Sequence, residues 1–311
     1  MKKNKHKIRL IIILFLLLVT TGCTKTLTDS NKKPVKNEAT GQTLTQNILC
    51  RPTNAKTKEI YEKYKVNLKK LPECKNFKIT SGKYESLWTS FFVKPLAFIL
   101  LRLGEVVKNY GLSVIIVSLL IRFAAYPITK KTAMQSELMK KAQPELNRLQ
   151  KKYENKKDQE SMIKQNQEMM AIYKKYNINP MAGCVFAMLQ LPIFIAFFEA
   201  VQRTPVIFED KFLGLQLGTT PSVGITSSVF YAYLILMLLI AGTTFFSFKM
   251  NGAGNTDDPT MKMMPTMMSI MIVVTAIFMP TGLGIYWVTS NLFTIAQNML
   301  VKRSKKVNGK A

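Results

Sequence analysis

Apolar residues in this chain fall into long runs separated by basic stretches. Five runs have the length needed to cross a bilayer if each is allowed one or two polar residues: 109–129, 181–202, 225–248, 262–280 and 281–301. Met279-Pro280-Thr281-Gly282 joins the last two and predicts a tight helical hairpin, while the Gly-rich Asn251 to Asn255 makes a flexible link within 249–261. In 130–180, Leu138, Ala142, Leu146, Leu149 and Tyr153 recur at helical spacing, and Met162, Met169, Tyr173 and Tyr176 do so again. Asp158 stands where it can cap the second set, so the segment reads as a two-helix hairpin with facing apolar seams. Residues 88–108 mix Trp88, Phe91, Phe92, Leu96 and Phe98 with Lys94, Arg102 and Glu105, which suits an amphipathic helix lying in the membrane interface. Residues 23–87 are rich in Lys, Thr and Asn and read as a polar tether, with short helical pieces such as 57–68.

The beginning of the chain has a different pattern. Lys2, Lys3, Lys5, Lys7 and Arg9 precede an apolar core, Leu10 to Val19, that is too short to span a bilayer, so 1–22 reads as a cleavable signal peptide. Thr20-Thr21-Gly22-Cys23 resembles a bacterial lipobox and marks Cys23 as a lipidation site. Export of residues 24–87 makes a Cys50–Cys74 disulfide reasonable, but two separate thiols fit the spacing equally well.

The 311 residues are 48% hydrophobic and carry a formal charge of +26, which falls to +21 once the signal is removed. The positive charge is distributed unevenly and sets a direction. Lys130 to Tyr176 holds twelve Lys/Arg against six acids, and 302–311 forms a basic tail, so both are expected in the cytoplasm. An odd number of spans then places 23–87 and the 203–224 loop outside. Residues 24–87, at net +8, run against that charge rule, but a long region exported by its own signal is largely exempt from it.

Arg122 is the residue with the clearest chemical implication. It sits six positions before Ile128, about 9 Å from the cytoplasmic end of a straight helix. A guanidinium stays charged at any ordinary pH, and placing one at the bilayer centre costs roughly 2.5–3.5 kcal/mol on the lenient scales. Ser118, Arg122, Tyr126 and Thr129 share one stripe of the first span, and Trp287, Asn291, Thr294 and Asn298 share another on the last. Gln190 adds an amide beside Pro192. Such stripes would be costly against lipid and imply a shared polar interior, although the amides serve equally well as interhelical glue. Glu199 is the one carboxylate within a span and lies toward its outer end, so a carboxylate arriving on another chain would suit the depth of Arg122. Met264, Met267, Met268 and Met271 fall on one helical face, which fits either an adaptable binding surface or ordinary packing. The only histidine, His6, lies in the signal, and neither a CxxC nor a GxxxxGK[ST] motif is present. Metal and nucleotide chemistry are therefore not expected, and no cofactor is assigned.

Three segments together resemble the YidC family of membrane protein insertases, the bacterial branch of the Oxa superfamily. They are LSVIIVSLLIRFAAYPITKK, YNINPMAGCVFAMLQLPIFIAFFEAV and MPTGLGIYWVTSNLFTIAQ, arranged around the basic hairpin. The short outer region and the lipobox look like the Gram-positive lipoprotein form. The resemblance implies an all-α polytopic membrane protein whose five transmembrane helices form a hydrophilic groove, open to the cytoplasm and to lipid but closed outside. It also implies that Arg122, Gln190 and Trp287 line that groove, with Ser118, Tyr126 and Asn291 on the stripes already described. Partners would be nascent membrane proteins and the lipid bilayer, with the Sec translocon and the ribosome as candidates; no nucleic acid is recognised specifically and no enzymatic reaction is implied. Residues 24–87 are longer and more basic than the linker expected of this form. The rival reading is a small-solute transporter or channel with an anion site at Arg122, but the internal repeat usual in such proteins is missing.

Overall fold

The computed structural model describes residues 24–156, 158–179, 182–251 and 259–308, without the side chains of 182–189, 259–261 and 304–308. The expected signal peptide at 1–22 and the lipidation site Cys23 lie outside the described residues. The chain is mostly helical and divides into two compact units. One holds residues up to Val117, Gln190–Leu236 and Ala276–Tyr286; the other holds Ser118–Leu189, Met237–Thr275 and everything from Trp287 onward. Several helices run through both units.

The first unit begins with a folded segment where a tether was expected. Leu27, Val35, Leu44, Ile48, Tyr61 and Leu68 form a core there, with Ile60, Val66 and Leu71 packed against it. Helix α1 spans Ala55–Lys63, starting two residues before the predicted piece, and Asn54 caps it by accepting from the Thr57 N–H at 3.2 Å. Cys50 and Cys74 are joined by a disulfide with their Cα atoms 4.9 Å apart. The expectation failed because these apolar residues follow no helical or strand period. Isolated bridges such as Thr26 to Thr45 and Lys36 to Thr43 bring them together instead.

A single π-turn at Thr89–Val93 leads into α2, Lys94–Val107, which has a proline in its first turn and ends at a left-handed Lys108. Gly104 allows the Tyr110 ring to cross the helix, since a Cβ there would lie 2.2 Å from Tyr110 Cδ1. The loop expected at 203–224 is ordered. It comprises α6 (Pro205–Glu209), a two-stranded hairpin of β1 (Lys211–Phe212) with β2 (Leu215–Gln216), and α7 (Pro221–Gly224), in a chain where α3, α4 and α5 are Tyr110–Tyr153, Gln159–Lys175 and Ala182–Gln202. The hairpin packs so closely on the start of α3 that a Cβ at Gly111 would meet Phe212 at 2.3 Å.

Helix α3 runs 44 residues without interruption, through Pro127 and Pro144, so the boundary drawn at 129/130 falls inside a helix. Charge changes there, but the backbone does not, because the stretch from Thr129 to Gln135 still forms helix. In the second unit, Ala142, Leu146 and Ile178 form a core with Leu138, Met169, Ile172, Tyr173 and Tyr176. Asp158 caps α4 through the Ser161 N–H at 2.8 Å, as its position predicted. Lys152 pairs with Glu168 at 2.7 Å and Lys175 with Glu145 at 2.6 Å, tying α4 to the preceding helix.

The remaining helices are α8 (Phe230–Met250), α9 (Pro259–Ala276) and α10 (Thr281–Asn308). The start of α10 is held by the Thr281 N–H to Thr219 O at 3.0 Å and the Gly282 N–H to Leu217 O at 2.8 Å, which satisfies donors that a helix N-terminus leaves over. Among the described residues, α3 and α8 are long and apolar enough to cross a membrane, and Gln190–Gln202 and Lys262–Ala276 are shorter apolar stretches.

Candidate functional site

In the second unit the usual arrangement of polar and apolar residues is reversed. Ser118, Arg122 and Thr129 of α3, Thr243, Thr244 and Ser247 of α8, Ser269 of α9, and Ser290, Thr294, Gln297 and Asn298 of α10 are all buried. On the same helices Phe123, Ile128, Leu238, Leu239, Phe246, Met267, Ile270, Met271, Leu292 and Met299 are exposed. A helix in water buries its apolar face; burying the polar face is favourable only where the surroundings are apolar.

Hydrogen bonds between helices organise this polar interior. Trp287 donates its indole N–H to Thr244 Oγ1 at 2.9 Å, and Asn291 Nδ2 donates to the same oxygen at 3.0 Å. The Thr129 hydroxyl donates to Gln297 Oε1 at 3.0 Å, and Asn298 Nδ2 donates to Asn251 Oδ1 at 3.0 Å. Ser290 Oγ and Gln297 Nε2 are buried without a hydrogen-bond partner among the described residues, so polar capacity is left over for another group. Arg122 is 7% exposed in this setting, with Ser118 fully buried and Tyr126 half-buried on the same helix. Phe123 meets Phe293 edge-to-face at 5.1 Å, which fixes α3 against α10 on the apolar side.

Gln190 belongs to the first unit, where its Nε2 donates to the Tyr286 hydroxyl at 3.0 Å; Tyr286 stacks on Phe197 at 4.4 Å. The α8 hydroxyls were missed from sequence, although Thr243-Thr244 and Ser247 form a visible polar interruption of the 225–248 run. Also missed was Arg203, fully buried in the first unit. It donates to Glu85 Oε1 at 2.6 Å and to Asn47 O at 2.7 Å, and lies 3.7 Å from Glu199. Among the described residues no group of three His, Cys, Asp or Glu side chains is placed to hold a metal ion.

In the charged pair of helices, the hydrogen bond from Lys175 and then that from Tyr176 hold Glu145 below the usual carboxylate range. Lys152 and then Tyr153 do the same for Glu168. Both carboxylates are fully ionised at neutral pH, and both positions are solvated, so they set helix pairing with little desolvation.

A family model described as 60Kd inner membrane protein matches residues 102–309. Membrane protein insertase MisCA of Bacillus subtilis (strain 168) is 39% identical over 217 residues, covering 69% of this chain and 79% of the relative. Membrane protein insertase YidC 2 of Bacillus anthracis is 38% identical over 222 residues, covering 71% of this chain and 83% of the relative. A solved structure described as an active YidC insertase with its first transmembrane domain resolved is similar with a TM-score of 0.51 at 20% identity. That likeness, which concerns the fold, covers 70% of this chain and 48% of the solved one, so the chain spans about half the solved protein's length. A family model matching more than half of the chain, with relatives of this identity and coverage, means that the chain belongs to the YidC family of membrane protein insertases.

Proposed function

We propose that this chain inserts and folds small or short-looped membrane proteins, alone or beside the Sec translocon, with its own five spans at 109–129, 181–202, 225–248, 262–280 and 281–301. The observation that carries this reading is the reversed polarity of the second unit, with Arg122, Ser118, Thr244 and Gln297 buried while Phe123, Leu239, Met267 and Leu292 are exposed. In this reading the polar residues line a groove open to the cytoplasm and to lipid, with Tyr126, Gln190, Trp287 and Asn291 along it. The permanent positive charge of Arg122 draws an acidic segment of the substrate into the groove. A hydrated groove shortens the low-dielectric path for that segment, and burial of about 20 apolar substrate residues in lipid drives completion.

The N-terminus is outside and anchored by lipid on Cys23, the C-terminus is cytoplasmic, and the basic hairpin at 130–180 receives the nascent substrate or the ribosome. Reconstitution tests the reading directly. Liposomes containing only this chain are expected to insert a small coat-like protein with an acidic N-terminal segment, scored by protection of its translocated end from protease. Flux of a small anion without such insertion would overturn it in favour of a transporter.

A further inference from the structure

Between the N-terminal core and α2, the segment 75–92 carries a row of exposed side chains with one consistent chemistry. Ile79, Tyr84, Leu87, Phe91 and Phe92 are 42%, 70%, 50%, 71% and 44% exposed, an unusual density of large apolar groups facing outward. Lys75, Lys78 and Lys83 are exposed among them. The segment is also held in shape. Lys78 and Ser81 close a turn through two 2.9 Å bonds, from the Lys78 N–H to Ser81 Oγ and from the Ser81 N–H to Lys78 O. Buried Lys94 donates from Nζ to Ser81 O at 2.7 Å and to Lys83 O at 3.3 Å, and Arg102 donates to Lys75 O at 3.1 Å.

The acids nearby are already engaged. Glu85 is bound by Arg203 at 2.6 Å and by Asn47 at 3.0 Å, Glu105 by Arg102 at 3.0 Å, and Glu73 by Lys75 at 3.1 Å. The outward-facing side chains of this segment are therefore lysines and large apolar groups, with net positive charge. Aromatic rings favour the boundary between headgroups and acyl chains, and lysines beside them favour anionic headgroups. A water-facing polymer would meet the lysines but leave Tyr84, Phe91 and Phe92 uncovered.

The geometry points to a binding surface for anionic glycerophospholipid headgroups on residues 75–92, with Tyr84, Phe91 and Phe92 seated at the acyl boundary and Lys78 and Lys83 on the phosphates. It rests on the reading that α2 lies along the membrane surface, and it adds a choice of lipid to that placement.

The test is hydrogen exchange on the full chain in nanodiscs of phosphatidylcholine with and without phosphatidylglycerol. Exchange across 75–92 is expected to slow with the anionic lipid, and the double variant Lys78→Gln/Lys83→Gln should lose that difference while α1 keeps its protection. Each lysine near an anionic surface is worth about a fivefold change in affinity, so the double change should raise the phosphatidylglycerol content needed for half-maximal protection severalfold. Equal protection in neutral and anionic discs, or full retention by the double variant, would overturn the assignment. Protection produced in neutral discs by soluble polyglycerol phosphate would overturn it too, in favour of a phosphate polymer. Nanodiscs expose both leaflets, so these outcomes are independent of topology in the cell and of insertion activity.

Discussion

Trp88 donates its indole N–H to Glu199 Oε1 at 3.0 Å, joining residues 111 positions apart in a fully buried contact. Arg203 extends the contact to Glu85 and to the backbone of Asn47, so one network ties the N-terminal segment to the end of α5. Trp88, Glu199 and Arg203 are buried, so the desolvation of their polar groups is offset only while each keeps its partner. Trp88→Phe keeps the ring and removes one donor, and is expected to cost about 1–3 kcal/mol. Arg203→Ala leaves buried carboxylate charge behind and should cost more, about 3–5 kcal/mol. Thermal unfolding of the detergent-solubilised chain would measure both; unchanged midpoints would mean that the network contributes nothing to stability.

Arg122 can be tested by separating charge from shape. Arg122→Ala is expected to abolish insertion of substrates with acidic N-terminal segments and to spare substrates with neutral ones. Arg122→Lys should retain most activity, because attraction of a carboxylate needs charge rather than the guanidinium fork. Protease protection in reconstituted liposomes reads all three cases. Full activity of the Ala variant on acidic substrates would end the proposed role.

Thr244 is the acceptor shared by Trp287 and Asn291. Thr244→Val has nearly the same volume and removes that oxygen, so two interhelical bonds are lost, for about 1 kcal/mol in all at typical intramembrane values. Thr244→Ser should behave like the parent. The comparison requires unfolding in a bilayer mimic; equal stability of Val and Ser variants would show that these bonds do not hold α8 to α10.

The Cys50–Cys74 bridge closes a loop 24 residues long by sequence separation. A crosslink of that span is worth about 3 kcal/mol in the chain-entropy account. Cys50→Ser/Cys74→Ser should therefore make residues 24–87 cleavable by protease at concentrations that leave the parent intact, with α3 to α10 unaffected. Identical cleavage of the two proteins would show that the segment's apolar core suffices.

Acid should loosen the charged helix pair before the rest of the molecule. Glu145 and Glu168 have folded-state pKa values below the usual 4.5, because Lys175 and Lys152 hydrogen-bond their ionised forms. Their contribution is complete above pH 4.5 and is lost as pH falls through the lower folded values. Hydrogen exchange across 138–176, corrected for intrinsic rate, should be constant from pH 8 to about pH 5 and rise below about pH 4. Glu145→Gln/Glu168→Gln should flatten that rise, and an unaltered pH profile in the double variant would rule out these pairs as its cause.

Much of the helical framework was legible because the physics is local. Runs of apolar residues, the period of the seams at Leu138 to Tyr153 and the cap at Asp158 all express preferences within a few turns of chain. The stripe of Ser118, Arg122 and Thr129 could be seen for the same reason, since spacing alone puts those residues on one face. The change of charge at 129/130 could not show that the helix continues through it, because charge responds to the surroundings whereas a helix backbone continues through good helix formers.

Sequence by itself thus determined the long helical segments, the polar stripes on the first and last spans, where the basic residues gather and which family the motifs resemble. Tertiary structure decided which polar groups meet: Thr129 with Gln297 across 168 positions, Trp287 and Asn291 on Thr244, and Arg203 between Glu85 and Glu199. It also decided that residues 24–87 fold, since Leu27, Val35, Leu44 and Tyr61 follow no period and come together only by burying one another. Such pairings depend on the whole path of the chain. Periodicity records the face of an element and carries no information about its partner.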